Sequence, residues 1–263
     1  MNVAKPELLA PAGDFTRFRY AVEYGADAVY VGGEEFSLRT DVANFPRPDL
    51  ERAVEFAHRR NVRVYVACNT VPRNDEIERF SEYLQFLRRI EVDALIVADL
   101  GLFMMIRDEC PDMEIHVSTQ ANISNYADCL AWYRLGAKRV VLARELSFDE
   151  IVQIRQRIPD SLEIEAFVHG AMCVSHSGRC LLSNFMTGRD ANRGNCAQAC
   201  RWKYSIVEEK RPGQYMPVEE TDTGTFIFNS KDLCMIEHIP DLISAGITSF
   251  KIEGRVKTEY YVS

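Results

Sequence analysis

The chain has 263 residues, 47% of them hydrophobic, with 31 basic against 39 acidic residues and a formal net charge of −8. It can bury a sizeable core, as one α/β barrel or two smaller domains, and its acidity excludes a surface that grips nucleic acid everywhere, though not a local basic patch. There is no apolar run of about 18 uncharged residues and no basic, apolar leader before Glu7, so neither a membrane span nor a signal peptide is expected and the cytoplasm is the expected compartment.

Eight short apolar, β-branched runs follow one another along the chain: Glu7–Ala12, Ala28–Gly33, Arg63–Asn69, Ala94–Asp99, Glu114–Gln120, Arg139–Glu145, Glu163–Gly170 and Ser249–Gly254. Most are followed by a polar stretch and an amphipathic segment of helical period, the alternation of a parallel sheet. Gly25, Gly136 and Gly246 stand just past the helical segments and before the next run, where glycine permits a left-handed cap. Eight such units predict a closed (β/α)8 barrel over an open doubly wound sheet. The chain is expected to be a single barrel domain over 1–263, with its last helix only begun by Ser263.

The seventh and eighth runs are separated by a long insertion, about 171–248, which holds five of the eight cysteines. Barrel chemistry sits on the loops after the strand C-termini, so this insertion is expected on the active face. Within it, Glu208–Gly224 is polar and turn-rich, as in a hairpin or mobile loop. Cys173 and Cys180 follow the seventh run, Cys196 and Cys200 come next, and Cys234 closes the set.

Thiolates are soft ligands, and four of them complete a tetrahedral zinc site or a cubane cluster. The paired CxxC motifs of a zinc ribbon are absent, and irregular gaps suit a cluster that takes one ligand from each of several loops. The plainer alternative is five buried small side chains. Cys68, Cys110 and Cys129 lie inside apolar patterns and are expected in the core.

The segment Glu165–Ser183, with its Glu, Phe, Gly, Cys and Gly-x-Cys spacing, resembles the signature of the collagenase-like peptidase U32 family. The opening Glu7–Gly13 and the closing Lys251–Arg255 are similar to it as well. The resemblance implies a barrel-like N-terminal half, often followed by a C-terminal extension, and oxygen-independent hydroxylation rather than proteolysis. Its relatives act on a tRNA wobble uridine with prephenate as hydroxyl source, on a ribosomal RNA cytidine, or on the ubiquinone ring. The last group carries a 4Fe-4S cluster on four cysteines, and a second U32 subunit is among the implied partners. The segments Arg179–Ser183 and Cys200–Trp202 resemble the tRNA-directed group, which puts tRNA first. Carried over by position, the cluster ligands are Cys173, Cys180, Cys196 and Cys234, with Cys200 as the substitute for Cys196.

Arg179, Arg189, Arg193, Arg201 and Lys203 concentrate positive charge in the cysteine segment, suited to RNA phosphates or to a prephenate-like anion. The alternative is a solvated face that balances cluster charge. His169 ends the seventh run and His176 lies between two proposed ligands; either could move a proton, and a lone histidine is more often structural. In the eighth run, period-2 alternation puts Lys251, Glu253 and Arg255 on one face, a costly arrangement unless they are paired or bound to ligand. Gln120, Arg144 and Glu165 complete the candidate set. For all six the competing role is an internal ion-pair network at the barrel mouth.

Two rival functions stand beside hydroxylation. A peptidase would need a nucleophile and a base, yet HExxH and GxSxG are absent, leaving only Cys173 activated by His169 or His176. A scaffold subunit would hold zinc in the cysteine site instead of a cluster.

Overall fold

The computed structural model describes residues 5–37, 44–172, 180–202, 205–207, 209–217 and 232–263. Seven strands alternate with helices: β1 (Glu7–Pro11), β2 (Ala28–Gly32), β3 (Arg63–Cys68), β4 (Ala94–Val97), β5 (Glu114–Val117), β6 (Arg139–Val141) and β7 (Glu163–Gly170). The helices between them are α1 (Phe15–Glu23), α2 (Arg47–His58), α3 (Asn74–Arg89), α4 (Leu100–Glu109), α5 (Tyr126–Leu135) and α6 (Phe148–Arg155). After β7 come α7 (Leu182–Thr187), the short strands β8 (Ser205–Ile206), β9 (Met216–Pro217) and β10 (Leu233–Cys234), then α8 (Ile239–Ser244), β11 (Ser249–Ile252) and α9 (Glu259–Val262).

β1 to β7 pair in parallel in chain order, and β11 pairs in parallel with both β7 and β1, which closes an eight-stranded barrel. Each of the eight predicted runs contains one of these strands. The fifth and sixth end earlier than predicted, at Val117 and Val141. Beyond Val117, the Ser118 hydroxyl accepts from the Gln120 amide and starts a 3-10 turn over Thr119–Ala121, so this segment leaves the ladder.

Closure makes the strand sides unequal in chemistry. Outward side chains such as Val29, Val64, Val66, Leu95 and Val117 form the main core against Phe18, Leu50, Phe80, Leu84, Phe103 and other helix residues. Both strand faces are buried, so the strands read as nearly continuous apolar runs. A smaller apolar cluster of Leu9, Ala28, Tyr30, Tyr65, Ala94 and Ile96 fills part of the interior. Gly136 and Gly246 take φ of 106° and 88°, the left-handed caps that stop α5 and α8.

The insertion contains structure that its sequence did not announce. β10 returns antiparallel along β7, setting Cys234 beside His169. β8 pairs antiparallel with β9, which falls within the segment expected as a hairpin or mobile loop; residues 208 and 218–224 of that segment lie outside the described residues. Cys68, Cys110 and Cys129 are buried as expected, and burial raises the Cys129 thiol pKa to about 12. Among the described residues, no helix is long and apolar enough to cross a membrane.

Candidate active site at the barrel mouth

A charged network fills the interior next to the apolar cluster. Arg139, at the start of β6, donates from Nη1 to Glu7 at 2.6 Å and to Glu165 at 3.0 Å, and from Nη2 to Glu163 at 2.7 Å. The Tyr65 hydroxyl donates to Glu7 at 2.6 Å, and Ser249 donates to Glu7 at 3.0 Å. One level higher, Lys251 Nζ donates to the other Glu165 oxygen at 2.7 Å. Glu165 therefore joins the N-terminal end of the barrel to a cation near its mouth.

The field inside is decided by pairing. Burial opposes ionisation of Glu165, but Lys251 and then Arg139 outweigh it and pull the carboxyl down to about 2. Burial likewise works against the Arg139 charge, and Glu165 and Glu7 more than restore it, so its pKa is raised. His116 is fully buried, with its ring edge-on to Tyr65 at a centroid distance of 4.7 Å, its Nδ1 without a hydrogen-bond partner and its Nε2 3.8 Å from a Glu114 oxygen. Burial lowers its pKa, against the pull of Glu114.

Above this network, at the C-terminal ends of the strands, lies a cavity of about 340 Å³. Asn69, Ser118, Gln120, Arg144, Lys251, Glu253 and Arg255 line it. Tyr30 and Phe167 supply aromatic wall. Lys251 stands 4.6 Å from the Tyr30 ring centre. The Arg144 guanidinium lies 3.9 Å over the Phe167 ring and donates to the Ala171 carbonyl at 2.8 Å. Its Nη2 lies 3.9 Å from a Glu253 oxygen, and its Nε is buried without a hydrogen-bond partner.

The insertion forms the roof. Cys180, Leu182, Ser183, Asn192, Cys196 and Cys200 all line the cavity, which puts these residues of the segment at the C-terminal face. Its loops are tied by short polar contacts. Asn192 donates to the Cys180 carbonyl at 2.9 Å, and the buried Ser183 hydroxyl accepts from the Ala197 amide at 2.9 Å. Arg189 donates to the Asn195 side chain at 2.5 Å.

The predicted residues divide into groups. Gln120, Arg144, Lys251, Glu253, Arg255, Cys180, Cys196 and Cys200 share the cavity. Glu165 lies beneath it and acts on it through Lys251. His169 is outside the lining, its ring 5.5 Å from that of Tyr261, and Cys234 is exposed on the edge strand. A register shift between β7 and β11, at Lys251/Ile252, falls where β7 reaches His169. Cys173, His176 and Arg179 lie outside the described residues, as do Lys203 and the side chains of Arg193 and Arg201.

The soft-donor chemistry of the roof fits a cluster or zinc, since Cys180, Cys196 and Cys200 are half-buried at the cavity while Cys68, Cys110 and Cys129 are locked in the core. Among the described residues, however, no three His, Cys, Asp or Glu side chains form a metal-ready group.

Residues 13–263 match the family model for Peptidase family U32. The chain belongs to that family. Its U32 relatives include "tRNA hydroxylation protein P" of Escherichia coli, 41% identical over 98% of this chain and 65% of the relative. "tRNA hydroxylation protein P1" of Bacillus subtilis is 43% identical over 98% of this chain and 61% of the relative. The chain thus spans just under two thirds of these relatives' length. The solved structure "The Structure of the U32 Peptidase Mk0906" aligns over 94% of this chain and 92% of its own, at TM-score 0.63 and 18% identity, which supports the barrel fold.

Several U32 cavity residues escaped the sequence reading: Tyr30, Asn69, Ser118, Thr119, Phe167 and Asn192. So did Arg139, the hub of the network. A charged residue inside an otherwise apolar, doubly buried strand was its available signal.

Proposed function

We propose that this U32 chain carries the reaction site of an iron–sulfur-dependent, oxygen-independent RNA hydroxylase. Its substrate is the tRNA wobble uridine, converted to 5-hydroxyuridine, with prephenate or a similar small anion as hydroxyl source. The observation that carries this reading is one cavity with cysteines in its roof and cationic side chains in its wall, at the end of the barrel where catalysis resides. The names of the E. coli and B. subtilis relatives support an RNA target.

Arg144, anchored by Ala171 and Phe167 and 3.9 Å from Glu253, lines the cavity and brings there a guanidinium that suits a carboxylate. Lys251 is already engaged by Glu165 and so contributes a partly balanced charge at the floor. A cavity of about 340 Å³ is near the small end for ligand sites. The RNA therefore enters as one unstacked nucleotide, with its neighbours left outside. Thiols from Cys173, Cys180, Cys196 and Cys234 would hold the 4Fe-4S cluster. Cys196 and Cys200 both line the cavity, so either can supply the third of these thiols. When bound, the cluster supplies electron-transfer chemistry that needs no O2.

A peptidase would need a histidine beside a nucleophilic thiol; Cys173 and His176 lie outside the described residues, and His169, with Cys234 opposite it, packs on Tyr261 outside the lining that holds Cys180, Cys196 and Cys200. Metal analysis of the whole protein after anaerobic purification decides the cofactor. About four irons and four sulfides per chain are expected, and about one zinc would replace the cluster. Nucleoside analysis of a deletion strain should show loss of 5-hydroxyuridine from tRNA; a profile unchanged from the parent would overturn the tRNA assignment.

A further inference from the structure

The roof carries a second feature, on its outer side. Leu181 is 73% exposed, Phe185 85% and Trp202 46%, large side chains that a folded surface usually covers. They are not scattered. Leu181 caps α7 and Phe185 lies within it, while Trp202 follows the 3-10 turn Ala199–Arg201, which packs against α7. The same two elements line the cavity through Leu182, Ser183, Ala199 and Cys200. Phe185 is three residues beyond Leu182, about 4.5 Å further along the helix axis. The apolar patch therefore begins at the cavity rim.

Charge selects the occupant. Residues 179–203 contain five basic residues, Arg179, Arg189, Arg193, Arg201 and Lys203, against the single acidic Asp190, in a chain whose net charge is −8. An acidic protein that keeps a basic stretch in the same segment of chain as exposed aromatic residues matches a polyanion with flat, stackable faces. Single-stranded nucleic acid has both properties, because phosphates meet the cations and each base has a π-face for an aromatic side chain.

We propose that Phe185 and Trp202 form a stacking platform for the unpaired RNA nucleotides that flank the one entering the cavity. The proposal rests on the RNA reading given above and adds to it the surface that presents a single-stranded loop to the site. A base in the cavity must leave its stack, and its neighbours lose stacking partners when it does. Aromatic rings at the rim replace that lost stacking, which makes extrusion of the target base less costly.

The test uses the whole protein and a fluorescently labelled anticodon stem-loop RNA, with hydroxylation of the same RNA followed in parallel. Phe185→Ala and Trp202→Ala should each weaken RNA binding roughly tenfold. Phe185→Tyr should restore binding, whereas Phe185→Leu should not, since leucine keeps the apolar surface and loses the π-face. The slope of log Kd against log salt should stay unchanged in all four variants, because no phosphate contact is removed. Wild-type affinity in both alanine variants would overturn the platform, as would full rescue by leucine, which would mark the patch as an apolar protein contact. Failure of the wild-type protein to bind or modify any RNA would instead overturn the functional reading itself.

Discussion

Glu165 is fully buried between Lys251 and Arg139, and its charge is the counter-ion on which Lys251 depends. Breaking a buried pair by removing one partner costs about 3–5 kcal/mol, so Glu165→Gln should lose roughly that much stability in urea unfolding at neutral pH. The pH dependence has a definite sign. An unfolded glutamate titrates near 4.5, and the folded Glu165 near 2. As pH falls through that window the unfolded chain binds the proton first, so the stabilisation is complete above about pH 5 and is lost progressively towards pH 2. Glu114 adds to the same acid limb, since its neighbours His116 and, against burial, Arg63 pull its carboxyl down to about 2. Glu165→Gln should therefore flatten the acid loss of stability relative to wild type; parallel acid profiles in the two proteins would show that the pair does not govern it. Alternation alone placed Lys251, Glu253 and Arg255 on one face, and all three line the cavity. The partner that neutralises Lys251 comes from β7, and no pattern within one strand identifies it.

The strands and helices of the barrel were legible because each is written in a period: doubly buried runs for strands, amphipathic segments for helices, and glycine at their stops. The roof has no such period. α7 and the turns at Ala191–Arg193 and Ala199–Arg201 are too short to show one, and they are held by polar contacts at single positions. Ser183 is the clearest of these, buried and accepting from Ala197, the residue next to Cys196. Ser183→Ala removes that acceptor at a cost of about 1 kcal/mol, felt locally. In metal-free protein, alkylation of Cys196 followed by mass spectrometry should become several-fold faster in the variant. Cys68 and Cys129, buried and with raised thiol pKa values, should stay unreactive in both proteins. Equal rates at Cys196 would mean that the roof is held by something other than this hydroxyl.

Barrel closure depends on β11, which joins the sheet only after the whole insertion and is gripped on both sides, by β7 and by β1. A cut within the insertion should therefore leave the barrel assembled. Trypsin acting after the exposed Lys210 should nick the chain into two pieces that co-elute in size-exclusion chromatography and separate only in denaturant. Dissociation without denaturant would show that chain continuity, and not strand pairing, keeps β11 in place. Local periodicity was enough to determine the number and order of the strands, their closure into a barrel, and the face on which the cysteine-rich segment would lie, because each follows from burial repeated along short stretches of chain. The tertiary structure alone decided that Arg139 and Glu165 carry the interior charge, that His169 turns towards Tyr261, and that Cys200 joins the cavity while Cys234 stays outside. Those outcomes depend on which side chains meet across strands and loops far apart in sequence, and such meetings leave no period behind.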